Sequence, residues 1–331
     1  MAFSSYYPQL VSQRRELHQW PEPGWTEFTT TYYLVKKLKE WGYDVLLGTK
    51  VVNPDAVLGR SEKDVEAGLQ AARDHHVPEE FLKATEGYTG AVGIFDSGRP
   101  GPTLAMRFDI DCIPVQETTD AAHIPTKEGF RSKHDGYMHA CGHDGHAAMQ
   151  LAAAKLLAAE RTSLKGEVRF LFQHAEELPP GGAVEMLKAG VMKGVDELYG
   201  MHLSSNFPTG TFGVRPGALT SATDRFDIRV IGKGGHSAFP ETCVDPIVIA
   251  GEIVGALQTL VSRRIQAVEP AVVSVCMIHA GEAYNIIPGE VAITGSTRTF
   301  SKETRERLPK LMEELARGIC AAHGADCDFK F

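Results

Sequence analysis

Between residues 91 and 203, short β-rich runs alternate with helical segments. This pattern restricts the possible fold classes more than any other feature of the sequence. Strands are predicted over Ala91–Phe95, Thr103–Phe108 and Glu167–Gln173, with another at 197–203, and a helix is predicted over Asp144–Glu160. Strands that alternate with helices of this length form α/β layers with a mainly parallel sheet. The sequence therefore predicts an α/β domain.

Two helices are predicted before these strands, from Tyr7 to Gln19 and from Glu27 to Trp41, separated by a Pro-Glu-Pro-Gly turn at 21–24. The highly charged stretch 53–88 is typical of surface helices. We interpret it as an insertion into the α/β domain.

From about residue 220 the predicted order of elements changes to βαββαβ. The strands are predicted at Asp224–Gly232, Ala271–Ala280, Glu290–Phe300 and Asp326–Phe331, and the helices at Asp245–Arg264 and from Ser301 to about His323. This order is that of a ferredoxin-like split-βαβ module. We therefore predict two domains, residues 1–219 with the insertion 53–88, and residues 220–331.

Charge, hydropathy and cysteine content exclude several classes of function. The chain has 34 Lys and Arg against 42 Asp and Glu, a net charge of −8, which argues against binding to nucleic acid or anionic membranes. No stretch reaches the roughly 18 uncharged apolar residues of a membrane span, and the first residues lack the apolar core of a signal peptide. The six cysteines lack the regular spacing of a disulfide scaffold. We expect a cytoplasmic protein with reduced thiols.

The densest cluster of metal-ligating residues is the run from Met138 to His146, MHACGHDGH, directly before an Ala-rich helix. Thiolate and imidazole are ligands for zinc, manganese, cobalt or nickel. Glu176 and Glu177 follow a predicted strand, and His202 follows the next one, at the strand ends where α/β folds place their sites. Together these residues indicate a metal centre.

Other interpretations of these residues stay open on spacing alone. The histidines of the run could crowd on a polar loop by chance, and the two glutamates could form a solvated turn. Cys141 could also act as a nucleophile with a histidine base. Chelation separates the last alternative from a metal-dependent reaction, because only the latter loses activity.

Seven short motifs, taken in order, resemble those of the M20 metallopeptidase and amidohydrolase family. They are Arg14-Arg-Glu-Leu-His18, Pro21-Glu-Pro-Gly24 with Glu27, Met106-Arg-Phe-Asp-Ile-Asp111, MHACGHDGH, Gln173-His-Ala-Glu-Glu177, Gly232-Lys-Gly-Gly-His236 and Tyr284-Asn-Ile-Ile-Pro288. The branch that the chain resembles contains the bacterial N-acyl-amino-acid, hippurate and auxin-conjugate amidohydrolases. Within it, the insertion and the segments Val51-Val-Asn53 and 97–102 are similar to the A subunits of aminobenzoyl-glutamate hydrolases.

The resemblance implies a zinc-peptidase-type α/β catalytic domain, a lid domain that also dimerises, and two bound divalent ions, manganese or zinc before cobalt or nickel. It implies the following roles: Cys141 (bridging), His143, Glu177 and His202 bind the metals, Asp109 orients ligands without binding metal, Glu176 is the general base, His236 stabilises the oxyanion from the partner subunit, and Asn285 and Arg298 contact the substrate. The other histidines outside the motifs, and His18, are interpreted as surface or packing residues.

The reaction that the resemblance implies is metal-dependent hydrolysis of the amide bond of N-acyl amino acids, with p-aminobenzoyl-glutamate as the candidate substrate. The expected partners are this small molecule and a second copy of the chain bound through the lid, and the resemblance to A subunits leaves open whether a second type of subunit is needed. Family members continue past the lid and supply a further histidine ligand, whereas this sequence ends at Phe331. We therefore expect that C-terminal return to be absent, and the alternative function is a non-catalytic metal-binding subunit or pseudoenzyme.

Overall fold

A computed structural model of the chain describes residues 3–178 and 181–331. The chain divides into two compact units, Met1–Pro208 and Thr209–Phe331. The helices are α1 (Phe3–Gln19), α2 (Phe28–Glu40), α3 (Glu62–Asp74), α4 (Glu79–Ala84), α5 (Ile124–Lys127), α6 (His143–Ala159), α7 (Ala183–Ala189), α8 (Pro246–Thr259) and α9 (Lys302–Ala322). The strands are β1 (Asp44–Leu46), β2 (Ala91–Asp96), β3 (Thr103–Asp109), β4 (Glu167–Gln173), β5 (Glu197–Gly200), β6 (Ala222–Ile231), β7 (Gly235–His236), β8 (Ala271–His279), β9 (Ile286–Ile287), β10 (Glu290–Thr299) and β11 (Asp326–Lys330).

The first unit contains a five-stranded sheet in the order β1-β2-β4-β3-β5. Strands β3, β4 and β5 are parallel to one another, but β2 is antiparallel to both β1 and β4. Only residues 97–102 join β2 to β3, and so short a connection reverses the chain, because a parallel crossover needs about a dozen residues or more. The predicted α/β class is confirmed, but the sheet is mixed rather than mainly parallel.

Helix α6 packs on this sheet through a row of small side chains. Ala147, Leu151 and Ala154 are buried against Phe170 and Phe172 of β4. Alanine at positions 147 and 154 lets the helix axis approach the sheet closely, which fixes the start of α6 close to the ends of the parallel strands. The geometry of the predicted metal-binding run depends on this packing.

The insertion is helical, as predicted, but it is not confined to the surface. Val65 and Ala72 of α3, together with Phe81 of α4, are buried in one core cluster with Trp25 and Phe28. The apolar residues of α3 recur at helical spacing, so one face joins the core while the charged face is exposed to solvent. The insertion therefore contributes to the packing of the first unit.

The second unit has a four-stranded antiparallel sheet in the order β11-β6-β10-β8, with α8 and α9 packed in the same core. This is the predicted βαββαβ arrangement. Among the described residues, Pro246–Arg264 is the one helical stretch whose length and hydropathy would suffice to cross a membrane. Its residues Ile249, Ile253 and Leu257 are buried in the core of this unit, and core helices of globular domains meet the same criteria.

Candidate metal centre

The three parallel strands of the first unit end at the same edge of the sheet, and acidic or imidazole side chains follow each of them. Asp109 ends β3, Glu176 and Glu177 follow β4, and His202 follows β5. Ligand sites of α/β sheets lie at the carboxyl ends of the strands. The sheet therefore assembles residues that are almost a hundred positions apart in the chain.

The loop before α6 adds the thiol and a further imidazole. His143 is the first residue of α6, and Cys141 precedes it by two positions. Gly142 between them has φ +90°, a left-handed conformation that side-chain-bearing residues adopt at a cost. This turn directs both side chains toward the strand ends.

The four predicted metal ligands meet around His143. The Cys141 Sγ atom lies 3.4 Å from His202 Nε2, and His143 Nε2 lies 3.7 Å from Glu177 Oε1. Cys141, His143 and His202 each offer a ligand atom within 4.8 Å of the others, and so do His143, Glu176 and Glu177. Side chains from distant segments thus share one centre in the structure.

Hydrogen bonds decide which imidazoles have a free lone pair. His143 Nδ1 lies 3.1 Å from Asp111 Oδ1, and His202 Nδ1 lies 2.6 Å from the Leu203 carbonyl oxygen, so each Nδ1 donates and each Nε2 is left for a ligand. His146 differs, because its Nε2 accepts the Leu203 N–H at 2.9 Å and its Nδ1 donates to Asp109 Oδ1 at 2.5 Å. His146 also belongs to a candidate metal group with Asp109 and His143, but both of its nitrogens already have hydrogen-bond partners.

Two buried ligand atoms have no hydrogen-bond partner, and this tests whether the residues fit a metal. They are His143 Nε2 and Glu177 Oε1. A buried polar atom without a hydrogen bond is costly unless another group, such as a cation, satisfies it. A cation between an imidazole lone pair and a carboxylate oxygen satisfies both atoms, so the donor set fits a bound divalent ion.

The electrostatics of the centre also favour a cation. Burial acts to lower the pKa of His143, but its hydrogen bond to Asp111 and the nearby acidic groups raise that pKa to about 11. Burial acts to raise the pKa of Asp109, but the His146 hydrogen bond and the charges of His143 and Arg107 hold it well below its ordinary value. The surrounding carboxylates therefore stabilise positive charge at this position.

The Cys141 thiol is poorly suited to act as a nucleophile in the absence of metal. The neighbouring His143 imidazole acts to lower the pKa of the Cys141 thiol, but burial and the Glu177 carboxylate outweigh it, so the pKa is raised. The reactive form of cysteine is the thiolate, and nucleophilic cysteines have a depressed pKa. This argues against the nucleophile alternative and for a thiol that ionises on binding metal.

Glu176 is the more exposed carboxylate of the pair. Burial, followed by the charges of Asp109 and Glu177, raises the pKa of Glu176 above its ordinary value. A carboxylate whose pKa is moved toward neutrality is a better proton acceptor and donor. Glu176 thus has the chemical character of a general base.

Sequence reasoning missed Asp111, which holds two of the predicted ligands. Its Oδ1 accepts from His143 Nδ1 at 3.1 Å, and its Oδ2 accepts the backbone N–H of Glu177 at 2.8 Å. Asp109 accepts from His146 at 2.5 Å and lies 3.5 Å from His143 Nε2, and its role in orienting ligands stays a prediction. The signal was available, because both aspartates stand in the motif that ends at Asp111.

His18 was interpreted as a surface or packing residue, but it is buried between two carboxylates. Its Nδ1 lies 2.8 Å from Asp144 Oδ2, and its Nε2 lies 3.0 Å from Glu117 Oε1. Burial acts to lower the pKa of His18, yet the hydrogen bond and charge of Asp144 raise it overall. This ion network ties α1 to the residue that directly follows His143.

The predicted residues His236, Asn285 and Arg298 lie in the second unit. The segments of His236 and Asn285 are neighbours, because β7 pairs with β9 and the Asn285 carbonyl oxygen accepts the Ser237 N–H at 3.1 Å. Arg298 lies near the far end of β10, where its guanidinium donates to the Thr223 hydroxyl across the sheet. Within this unit, the structure groups the first two and leaves Arg298 apart.

An α/β sheet whose carboxyl edge gathers a thiol, imidazoles and carboxylates has the donor set of a metal site. The family model described as peptidase family M20/M25/M40 matches residues 105–324. The chain belongs to this family, and it is a hydrolase. The resemblance inferred from the motifs is therefore confirmed.

Individual relatives agree with this assignment. The N-acetylcysteine deacetylase of Bacillus subtilis is 38% identical over 331 residues, which are 100% of this chain and 76% of that protein. A Haemophilus influenzae homologue of the A subunit of p-aminobenzoyl-glutamate hydrolase is 38% identical over 313 residues, 94% of this chain and 73% of that protein. A solved Bacillus subtilis structure, described as a dinuclear metal-binding peptidase of the M20 family, matches with a TM-score of 0.74 at 34% identity, covering 99% of this chain and 74% of that one.

Proposed function

We propose that this chain hydrolyses the amide bond of N-acyl amino acids, with p-aminobenzoyl-glutamate as the candidate substrate, through a pair of divalent ions. The observation that carries the proposal is the convergence of two buried, unpartnered ligand atoms, His143 Nε2 and Glu177 Oε1, on one centre. Relatives named for acting on acylated amino acids support the substrate class.

In this proposal Cys141, His143, Glu177 and His202 would hold the ions. When bound, such ions supply Lewis acidity, which polarises a carbonyl group and makes water a stronger acid. Asp111 holds His143 and Glu177 in place through the two hydrogen bonds described above. The donor set accommodates manganese or zinc, and cobalt or nickel as well.

Glu176 moves the proton. As general base it takes a proton from the attacking water, and as general acid it delivers that proton to the departing nitrogen of the amino acid. Its raised pKa, caused by burial and by neighbouring carboxylates, suits both steps. His236 as oxyanion donor, Asn285 and Arg298 as substrate contacts, the homodimer and a second type of subunit stay predictions that follow from the resemblance.

The test is a comparison of three proteins: the wild type, Glu176→Gln and Cys141→Ala. Each is stripped with chelator, reloaded with manganese or zinc, and assayed on p-aminobenzoyl-glutamate. We expect the wild type to lose activity on chelation and to regain it on reloading. We expect Glu176→Gln to retain metal but lose turnover by about 100-fold or more, and Cys141→Ala to lose metal as well.

Two outcomes would contradict the proposal. Full activity after complete chelation would restore the nucleophile mechanism. Metal uptake with no turnover on a panel of N-acyl amino acids, with and without a second type of subunit, would favour a non-catalytic scaffold.

His236→Ala should lower turnover at unchanged metal content, and an unchanged rate would remove that residue from the mechanism.

A further inference from the structure

We infer that a cavity beside Glu177, walled on one side by the inserted helix α3, binds the acyl half of the substrate and selects aromatic acyl groups over acetyl. The inference rests on the proposed function, since it assigns a substrate to that same site. All of the residues that line the cavity belong to the first unit. The insertion 53–88 thereby gains a role in substrate selection in addition to its role in packing.

The size of the cavity argues against a small acyl group. Its volume is about 510 Å³, and its lining residues include Glu177 and Cys112. Ligand pockets for molecules of several rings or chains span roughly 300–1,000 Å³. An acetyl group on the carbonyl carbon would leave most of this space to water, whereas a benzoyl-sized group would occupy a substantial part of it.

The walls favour a flat apolar group. Trp20 and Tyr137 contribute aromatic rings, and the His75 ring lies edge-on to Trp20 with centroids 4.4 Å apart. Lys133 Nζ lies 4.9 Å from the Trp20 ring centroid and covers one face of the indole. Aromatic walls bind aromatic ligands through stacked or edge-to-face contacts.

The charge of the walls identifies which half of the substrate enters. Besides Glu177, which the proposed function assigns to the metal ions, the carboxylates of Glu22 and Asp64 line the cavity against one lysine. The Glu22 oxygens already accept the backbone N–H groups of Thr29 and Thr30, at 3.0 and 2.7 Å. A free amino-acid carboxylate would meet like charge and would be desolvated on these walls. The uncharged acyl group meets neither penalty.

Small residues of α3 create the space. Ala67 and Ala71 lie one helical turn apart on the wall, and Gly68 between them packs so closely that a Cβ there would lie 2.7 Å from Thr26 Cβ. The glycine brings the helix against the 21–26 turn, and the two alanines keep the cavity open. Side-chain size at position 71 therefore sets the size of the acyl group.

The experiment compares the wild type with Ala71→Leu on N-benzoyl-L-glutamate and N-acetyl-L-glutamate. Leucine is as good a helix former as most residues, and position 71 is exposed, so the fold is retained. We expect kcat/KM for the benzoyl substrate to fall about tenfold or more, and kcat/KM for the acetyl substrate to stay within about twofold. The matched control is Gln70→Leu on the same helix but off the cavity wall, which should change neither value. Equal losses on both substrates, or no loss on either, would overturn the inference.

A second measurement does not depend on turnover. Saturation-transfer NMR with 4-aminobenzoate on metal-stripped protein should show binding to the wild type and to Gln70→Leu, and weaker binding to Ala71→Leu. If this binding pattern holds while the wild type hydrolyses no amide, the cavity assignment stands and the proposed function fails. If 4-aminobenzoate binds all three proteins equally or none of them, the assignment fails. Ala67→Val provides the same comparison should Ala71→Leu unfold at a lower temperature than the wild type.

Discussion

Asp111 should control metal affinity although it does not face the metal centre directly. Replacing it with asparagine keeps the shape and one acceptor oxygen but removes the charge and puts an NH₂ group at the other position. In the structure the carboxylate accepts from His143 Nδ1 at 3.1 Å and from the Glu177 backbone N–H at 2.8 Å. Asparagine can satisfy only one of these donors, because its NH₂ group would oppose the other.

The magnitude follows from counting one lost bond. A hydrogen bond to a charged group contributes about 1.5–3 kcal/mol, and 1.4 kcal/mol corresponds to about tenfold in an equilibrium constant. The loss of one such bond therefore predicts about 10- to 150-fold weaker metal binding. This agrees with the roughly 10- to 100-fold effect of removing residues that orient metal ligands.

The assay is a competitive titration of zinc against a chromophoric chelator at constant pH, with wild type, Asp111→Asn and Asp44→Asn. Asp44 lies exposed at the start of β1, so its substitution changes the net charge equally without touching the centre. We expect only Asp111→Asn to bind zinc more weakly, with an unchanged number of sites at saturation. An affinity within twofold of the wild type would refute the claim that Asp111 positions His143 and Glu177.

Three further predictions concern the scaffold of the site. His18→Ala leaves Glu117 and Asp144 without their shared partner and should cost about 3–5 kcal/mol in urea unfolding. Because the folded-state pKa of His18 is raised, this stabilisation is present at low pH and is lost as the pH rises through that pKa. The difference in unfolding free energy between wild type and His18→Ala should therefore be smaller at about pH 9 than at about pH 6. An equal difference at both pH values would contradict a charged His18 between the two carboxylates. Gly142→Ala should lose about 1–2 kcal/mol of stability because of its φ of +90°, and an unchanged melting temperature would contradict this. Gly24→Ala would place a Cβ 2.8 Å from Ala175 Cα. The resulting shift of Glu176 should lower turnover by about 100-fold at near-normal metal content. Full turnover would show that the backbone around Ala175 tolerates the added methyl group.

Much of the fold could be predicted because its elements carry local signals. The βαββαβ module follows from alternation, Pro246 at a helix start and Ser301 as an N-cap, and the structure has all six elements. Strand β1 was missed because three residues are too few for a period to show. The direction of β2 was missed because the prediction of a mainly parallel sheet did not take into account the short connection 97–102, which reverses the chain. Only the insertion of β4 between β2 and β3 depends on tertiary packing.

The sequence predicted which residues gather at the site, but not which role each of them has. From residues alone, His143 and His146 are equivalent candidates three positions apart, and only the resemblance chose between them. The structure separates them physically, since His146 uses both ring nitrogens on Asp109 and the Leu203 N–H, while His143 keeps Nε2 free. Asp109 and Asp111 could not be ranked for the same reason, because sequence spacing does not show which donors each carboxylate meets.

The motif at 21–27 has a physical reason for its residues that the sequence alone did not reveal. The turn that presents Glu176 and Glu177 requires Ala175 to adopt φ +49°, a strained conformation for a residue with a side chain. Buried Glu27 holds that turn by accepting the Ala175 N–H at 2.7 Å, and its own pKa is raised to about 8, first by burial and then by the charge of Asp111. Gly24 supplies the space, because any side chain there would meet the Ala175 backbone. Two motifs about 150 residues apart in the chain therefore act together. Gly24 and Glu27 of the first motif hold the strained backbone at Ala175, and this backbone positions Glu176 and Glu177 of the second motif.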